Sequence, residues 1–363
     1  MLDEVLGNME LGLQQREKLL KQAEIFGLDI YLEQLLALKN STDLKDEFED
    51  VHVISTEINS NLKNPFGVII LAGGQGSRLG SKDPKGCFEL DENESLFAIL
   101  SKKLVGTVGH LAIMTSLQTD EKTRLFFREN QFFGLEDGRV DFFIQPSWPV
   151  LTHDKKWAVD MNGDLILAPR GNGCVFQAFY KSPIFKKWQQ LGVHAVNLLP
   201  IDNFLADPKD QQLIGHIENG AEIAVRAIEK IGDEKMGMMV LKNKRLAVRE
   251  YSELKNHQFT YGYSGLFAMN LSFLEKAAQV HLPDHLAFKK GKILQNGMPS
   301  ELEIIKFEQF VFDAFYLADR FVVLNSCRKK YFCPLKDKLG PHGIESVKEK
   351  YLEWKRQTSI PCR

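Results

Sequence analysis

Several residue patterns that mark whole classes of protein are missing from this sequence. Its five cysteines are an odd number without C-x-x-C spacing, which indicates neither a zinc site nor a disulfide framework. No apolar run approaches the roughly 18 residues of a membrane-spanning helix, and the N-terminus lacks the basic-then-apolar order of a secretory signal. The formal net charge of −2 argues against nucleic acid or anionic membranes as partners. These absences predict a cytoplasmic protein with reduced thiols.

Hydrophobic periodicity indicates helices first and an α/β core after them. Residues 1–62 carry apolar side chains at helical spacing, as in LDIYLEQLLAL, so we expect helices there that pack on the core. Asn59–Pro65 is the predicted joint. Beyond it, short apolar strands alternate with helices such as Leu96–Val105 and Asp120–Glu129. This alternation predicts an α/β fold with a mainly parallel central sheet.

The stretch GVIILAGGQGSRLGSKDPKG, residues 67–86, predicts a nucleotide-binding loop. Val68–Leu71 is an apolar run typical of a buried parallel strand, and glycines follow it directly. Adjacent glycines allow backbone N–H groups to converge on an anion with no side chain in the way. The glycines are Gly73, Gly74 and Gly76, and the loop also carries Arg78 and Lys85. A strand that leads into such a loop suits a nucleoside triphosphate.

Two commoner phosphate-binding loops do not fit this stretch. The Walker pattern G-x-x-x-x-G-K-[ST] fails because Gly86 is followed by Cys87. The dinucleotide pattern G-x-G-x-x-G fails at Gly74, Gly76 and Gly80, because the last interval is one residue too long. The loop therefore belongs to another class of nucleotide-binding protein.

The pattern L-A-G-G-x-G-[ST]-R-L-G-x-x-x-P-K, here Leu71–Lys85, resembles the signature loop of the eukaryotic-type UDP-sugar pyrophosphorylases, closest to the UDP-N-acetylglucosamine branch. The resemblance implies a Rossmann-like nucleotide-diphospho-sugar transferase (GT-A-like) fold, with Leu71 and Ala72 among the nucleotide contacts beside the three glycines. It covers about residues 66–338. We therefore expect an N-terminal helical segment (1–62), a nucleotidyltransferase core (63–338) and a short C-terminal tail (339–363) in place of the relatives' β-rich domain.

The same resemblance implies contacts to the base and the sugar. Gln145 ends a predicted strand where the family reads uracil, although Pro146 stands where the family usually has glycine. Residues 168–173, A-P-R-G-N-G, resemble the family's P-D-G-N-G-G. This match makes Gly171 a nucleotide contact and Asn172 a sugar contact. Arg170 stands where the family has aspartate.

Two later motifs bear on the sugar. V-R-E-Y-S-E resembles the family's V-V-E-Y-S-E and gives Glu253 as an acceptor for sugar hydroxyls. In Tyr263-Ser264-Gly265-Leu266, Gly265 matches the glycine of the family's N-A-G-N, but Leu266 replaces the sugar-contacting asparagine. Loss of one buried hydrogen bond costs about 1–3 kcal/mol, so the sugar preference depends on how Leu266 is accommodated.

The resemblance also implies a metal ligand and a third catalytic cation. Pro200-Ile201-Asp202-Asn203 resembles the V-D-N motif at the end of the central strand, so Asp202 would help to hold Mg²⁺. Mg²⁺ is commonly held by one or two carboxylates plus substrate phosphates. Phe332–Lys336 resembles F-S-P-L-K, whose lysine reaches the triphosphate. The implied catalytic residues are Arg78, Lys85 and Lys336.

The resemblance therefore implies transfer of uridylyl from UTP to a sugar 1-phosphate with release of pyrophosphate. Asn172 favours N-acetylglucosamine 1-phosphate, whereas Leu266 leaves glucose 1-phosphate open. A catalytically silent UDP-sugar binding protein is the alternative of another class. We expect UTP and a sugar 1-phosphate as ligands, and a monomer.

Overall fold

The computed structural model describes residues 5–6, 11, 13–39, 47–55, 58–136, 138–250, 254, 259–295 and 298–358. The chain forms two compact units, and each is built from three stretches of sequence. The first unit comprises Met1–Asp46, Gln145–Cys174 and His281–Asp313. The second comprises Glu47–Ile144, Val175–Val280 and Ala314–Arg363. The segment boundaries after residues 62 and 338 stay a prediction.

The described part of the chain contains both strands and α-helices, and the two kinds alternate over residues 94–144 and 183–229. The strands are β1 Glu49–Asp50, β2 Phe66–Leu71, β3 Glu89–Asp91, β4 Glu94–Ser95, β5 Gly109–Thr115, β6 Val140–Ile144, β7 Ser147–Pro149, β8 Leu151–Thr152, β9 Leu167–Pro169, β10 Ala195–Pro200, β11 Ile223–Glu229, β12 Gly237–Lys242, β13 Arg245–Glu250, β14 Tyr261–Asn270, β15 His285–Gln295, β16 Met298–Glu308 and β17 Phe321–Asn325. The α-helices are α1 Leu13–Lys39, α2 Leu96–Lys102, α3 Asp120–Glu129, α4 Val175–Lys181, α5 Pro183–Gln190, α6 Gln211–Glu218, α7 Leu271–Ala278, α8 Arg328–Tyr331 and α9 Ile344–Thr358.

The second unit is built on a ten-stranded sheet. Strands β10, β2, β5 and β6 are neighbours in that order and run parallel. The apolar run of β2 is buried because parallel strands are covered on both faces. Strand β14 joins β10 antiparallel, and β11 pairs parallel with β17. The predicted α/β fold with a mainly parallel central sheet is confirmed.

A glycine in β2 allows a helix to pack closely on this sheet. Gly67 of β2 leaves room for Trp188 of α5, since a Cβ there would lie 2.1 Å from the indole ring. Helix α2 begins after Ser95, whose hydroxyl accepts the N–H of Ala98 at 3.1 Å as an N-cap. Helix α3 has the predicted bounds.

The C-terminal region of the second unit contains α9, which packs on two other segments. Tyr351 lies against the ring of Phe204, with 5.3 Å between centroids. Its hydroxyl donates to Glu94 at 2.7 Å, and Lys355 donates to both Asp91 and Glu94. Helix α9 therefore ties the β3–β4 hairpin to the turn that follows β10.

The first unit contains the predicted N-terminal helix and a long hairpin. Helix α1 has a non-helical residue at Gly27, with φ 69° and ψ 172°. In the part of the helix after Gly27, Tyr31 packs edge-to-face on Trp157 with 5.9 Å between ring centroids, and Gln34 accepts the Trp157 indole N–H at 2.8 Å. Strands β15 and β16 pair antiparallel, and β16 also pairs with β8. In the described part of the chain, no helix combines the length and apolarity needed to cross a bilayer.

Candidate functional site

The glycine-rich loop begins at the carboxyl end of β2 and folds back on itself. Leu71 and Ala72 are held by neighbouring strands, because the carbonyl of Leu71 accepts the N–H of Ile201 and Ala72 donates to Met114. Gly76 has φ 68°, a left-handed conformation that favours glycine. The N–H of Lys85 donates to the carbonyl of Gly74 at 3.1 Å, which closes the loop and brings Lys85 back to the sheet edge.

The backbone of this loop is open to a ligand. Gly74 is exposed, Gly73 and Gly76 are partly exposed, and no atom lies within 4 Å of where a Gly74 Cβ would stand. Arg78 is also exposed, and its guanidinium lies 3.7 Å from Asp337. Cys87 lies directly after this stretch. Burial and the nearby Asp83 raise the pKa of its thiol to about 12, so this thiol stays protonated at neutral pH.

Lys85 and Asp202 form an ion pair at the edge of the sheet. The Nζ atom of Lys85 lies 2.9 Å from Oδ2 of Asp202, and their side chains are 13% and 20% exposed. Because β2 and β10 are parallel neighbours, their carboxyl ends bring the loop and the Asp202 turn to the same place, as expected for ligand sites in open α/β sheets.

Asn203 holds the Lys336 segment against the same turn. Its amide nitrogen donates to the carbonyl of Tyr331 at 2.7 Å, and its amide oxygen accepts the N–H of Cys333 at 3.0 Å. The N–H of Leu335 donates to the carbonyl of Asp202 at 2.8 Å. The sequence pattern predicts no role for Asn203, yet its two hydrogen bonds hold the backbone that leads to Lys336.

Three predicted site residues line one cavity of about 840 Å³ in the second unit, namely Asp202, Gly265 and Lys336. Gly265 has φ 87° inside strand β14. Leu266 is 3% exposed and packs in the hydrophobic core, so its side chain is accommodated away from the cavity. Glu253 lies outside the described residues.

The residues present fit Mg²⁺ in the mode the sequence analysis expects. In the described part of the chain, no group of three or more His, Cys, Asp or Glu side chains could hold a metal ion by itself. The carboxylate of Asp202 lines the cavity. One such carboxylate suits an ion whose other ligands are substrate phosphates and water. Asp202 is therefore the described residue that would hold Mg²⁺.

Gly171 and Asn172 lie in a tightly held loop of the first unit. A Cβ on Gly171 would lie 2.4 Å from the carbonyl oxygen of Gln309, and the residue has φ 88°. The amide oxygen of Asn172 accepts the N–H of Val311 at 2.9 Å. The carbonyl of Arg170 accepts the N–H of Gln309 at 2.7 Å. Gln145, also in this unit, is buried, with 6% of its surface exposed.

Arg170, which departs from the family motif, has a structural partner in the same unit. Its guanidinium lies 3.2 Å from the carboxylate of Asp284, with side chains 8% and 2% exposed. It also stacks 3.3 Å over the ring of Trp148. The carbonyl of Pro146 accepts the Arg170 N–H. Asp284 is far away in sequence, so nothing local signals this pair.

Comparison with known proteins identifies the family. The sequence profile of the UTP–glucose-1-phosphate uridylyltransferase family matches residues 30–338. The chain belongs to this family. Among its relatives is UDP-N-acetylglucosamine diphosphorylase 1 of Arabidopsis thaliana, which is 34% identical over 312 residues, or 76% of this chain and 61% of the relative. The UDP-N-acetylglucosamine pyrophosphorylase of Saccharomyces cerevisiae is 32% identical over 77% of this chain and 65% of its own length.

A solved structure agrees with these relatives. The crystal structure of a UDP-N-acetylglucosamine pyrophosphorylase candidate from Entamoeba histolytica covers 85% of this chain and 88% of its own, with 28% identity and a TM-score of 0.77. These findings confirm the resemblance to the UDP-sugar pyrophosphorylases, including the N-acetylglucosamine branch, that residues 71–85 indicate. The chain spans about three fifths of the length of the Arabidopsis relative, at 61%.

Proposed function

We propose that this uridylyltransferase-family protein makes a UDP-sugar and pyrophosphate from UTP and a hexose 1-phosphate, with N-acetylglucosamine 1-phosphate as the preferred sugar. The observation that carries the proposal is the ion pair of Lys85 with Asp202, 2.9 Å apart beside the glycine-rich loop. A protein that only binds a UDP-sugar has little need of a cation and a carboxylate held together at the position of the triphosphate.

The chemistry requires charge control more than proton transfer. An oxygen of the sugar 1-phosphate, already ionised at neutral pH, forms a bond to the α-phosphorus of UTP. The bond from that phosphorus to the oxygen bridging to the β-phosphate breaks, and pyrophosphate leaves with the electron pair. The barrier lies in bringing together two polyanions and stabilising the leaving group, which positioning and fixed charges lower.

Each residue near the loop has a part in this proposal. The exposed backbone of Gly73, Gly74 and Gly76 would receive the phosphates, and Arg78 would bind pyrophosphate, where a forked guanidinium contacts two oxygens. Lys85 and Lys336 would neutralise charge around the α-phosphate. Asp202 would hold Mg²⁺, which would supply positive charge to the phosphates.

The sugar preference rests on the relatives and on how Leu266 packs. The relatives just described carry N-acetylglucosamine in their names. Leu266 is buried in the core, so it neither blocks the cavity nor offers a polar group that favours glucose. Asn172 stays the sugar contact that the resemblance implies, and its amide oxygen already accepts the N–H of Val311.

The test is the initial rate of pyrophosphate release from UTP and Mg²⁺ with N-acetylglucosamine 1-phosphate or with glucose 1-phosphate. We expect kcat/KM to be at least about tenfold higher for the N-acetylated sugar. A preference for glucose 1-phosphate would overturn the sugar assignment, but the proposed type of reaction would still stand. Absence of pyrophosphate release with either sugar and with galactose 1-phosphate, while UDP-N-acetylglucosamine still binds, would favour the silent binding protein.

A further inference from the structure

A second cavity, of about 510 Å³, opens in the second unit beside the segment that follows Asp202. Its volume lies within the roughly 300–1,000 Å³ that is usual for small-molecule sites. Leu205 and Asp207 form part of its wall, and the two cavities share none of their described lining residues. The proposed reaction makes no use of this second cavity.

Basic side chains outnumber acidic ones in its lining. The basic residues are Lys103, Lys209, Arg226 and Lys330, and the acidic residues are Asp207 and Asp210. The Arg226–Asp210 pair is neutral and internally satisfied, because two guanidinium nitrogens bond the two carboxylate oxygens at 2.5 and 2.7 Å. Both side chains are almost fully buried. The remaining lining has three lysines against the single carboxylate of Asp207.

Lys103 lines the cavity and is half-buried. Its Nζ atom donates to the carbonyls of Phe204 and Ala206 at 2.9 and 2.7 Å and lies 5.3 Å from the ring centre of Trp354. Burial lowers the pKa of this lysine to about 8, against the opposing effect of Asp207. An anion bound nearby would stabilise its charged form.

The rest of the cavity lining contains aromatic rings and side-chain amides. Trp354 and Tyr331 present aromatic rings, and Asn59, Gln211 and Gln212 carry amides that both donate and accept hydrogen bonds. Lys209 is partly exposed and Lys330 exposed, so both of these lining lysines have contact with solvent. Lysines neutralise phosphate groups as point charges, and an excess of two positive charges matches the dianion of a phosphate monoester.

We propose that this cavity is a second binding site for small phosphate monoesters, separate from the site at Asp202. A volume of about 510 Å³ suits a small molecule rather than a peptide or nucleic-acid segment. The inference concerns binding alone and does not depend on the proposed reaction.

Trp354 provides a local readout, because the other three tryptophans, Trp148, Trp157 and Trp188, are each at most 7% exposed. The probe is inorganic phosphate, titrated into the full chain while indole emission is recorded at constant ionic strength, with chloride replaced by phosphate. We expect a saturable change in emission that is lost in Trp354→Phe.

Three further variants locate the binding. Lys209→Ala combined with Lys330→Ala should raise the Kd for phosphate at least about tenfold. Lys329→Ala removes an exposed lysine that does not line this cavity and should leave Kd unchanged. Lys85→Met should also leave it unchanged, because Lys85 belongs to the other site. Circular dichroism confirms that each variant is folded.

The proposal is overturned by any of four results. These are no saturable change in the wild type, an equal change in Trp354→Phe, an unaltered Kd in the double variant, or loss of binding in Lys85→Met, which would place phosphate at the Asp202 cavity. The titration does not measure pyrophosphate release. A negative titration therefore says nothing about the proposed reaction, and an inactive protein in the pyrophosphate assay says nothing about this binding site.

Discussion

Replacement of Lys85 by methionine tests the charge that the proposed reaction needs. Methionine keeps an unbranched side chain and removes the ammonium group, which lies 2.9 Å from Asp202 with only 13% of the side chain exposed. A charge held in such a partly desolvated place acts most strongly when new charge develops in the transition state. The substitution should therefore affect turnover more than binding.

The expected size follows from comparable preorganised donors. Loss of one such group lowers kcat by about 10²–10³, or roughly 3–4 kcal/mol, whereas we expect the KM for UTP to rise less than about tenfold. Asp202 loses its partner in this variant. Both side chains are largely buried, so the carboxylate left without its partner should cost more than the about 0–1 kcal/mol of an exposed pair. The urea midpoint should therefore fall, and kcat is compared under conditions where circular dichroism shows the variant folded.

The assay measures initial rates of pyrophosphate release with UTP and N-acetylglucosamine 1-phosphate, so that kcat and KM are obtained separately. Lys186→Met is the matched control, because Lys186 is an exposed lysine on α5 of the same unit. An unchanged kcat with a raised KM in Lys85→Met would refute the reasoning, since it would show that Lys85 binds ground state and transition state equally.

Three further outcomes are expected. Asp202→Ala should lose most activity, and excess Mg²⁺ should restore only part of it; full activity at ordinary Mg²⁺ would count against a metal role. Gly171→Ala should cost at least about 2 kcal/mol in urea unfolding, because its Cβ would lie 2.4 Å from Gln309, whereas Gly163→Ala, also at positive φ but facing ordinary contacts, should cost less. The free energy of unfolding should rise between about pH 8 and the ordinary lysine pKa of 10.5, because Lys103 loses its proton at lower pH in the folded than in the unfolded chain. If the difference in this free energy between wild type and Lys103→Met stays constant over that range, the prediction is wrong.

Local patterns predicted the parallel half of the sheet and much of its helical cover. The apolar run after Pro65 became β2, Ser95 caps α2, and α3 has its predicted bounds. These elements are decided by neighbouring residues, through burial of continuous apolar strands and capping of exposed helix ends. Strand β14 depends on partners on both sides, and its position inside the sheet has no local signal.

The loop motifs gave Lys85 and Asp202 as members of one site, and in the structure they lie close together because β2 and β10, the strands before them, are parallel neighbours. The elements and hydrogen bonds that surround this site were harder to predict from the sequence. Helix α9 could have been predicted from the spacing of Val347, Tyr351 and Trp354. The bonds of Asn203 to the Lys336 segment cross more than a hundred residues of sequence. Only the folded chain reveals such pairings.

The interleaving of the two units has a consequence for how the chain folds during synthesis. Strand β8, at Leu151–Thr152, pairs with Ile304 and Ile305 of β16, so this part of the first unit must wait for some 150 residues to leave the ribosome. Strand β11 waits in the same way for β17. Such long-range closures slow folding and leave apolar strand edges uncovered meanwhile. Neither unit can therefore be completed from the N-terminal half of the polypeptide, and we expect nascent chains that end before β16 to associate with chaperones.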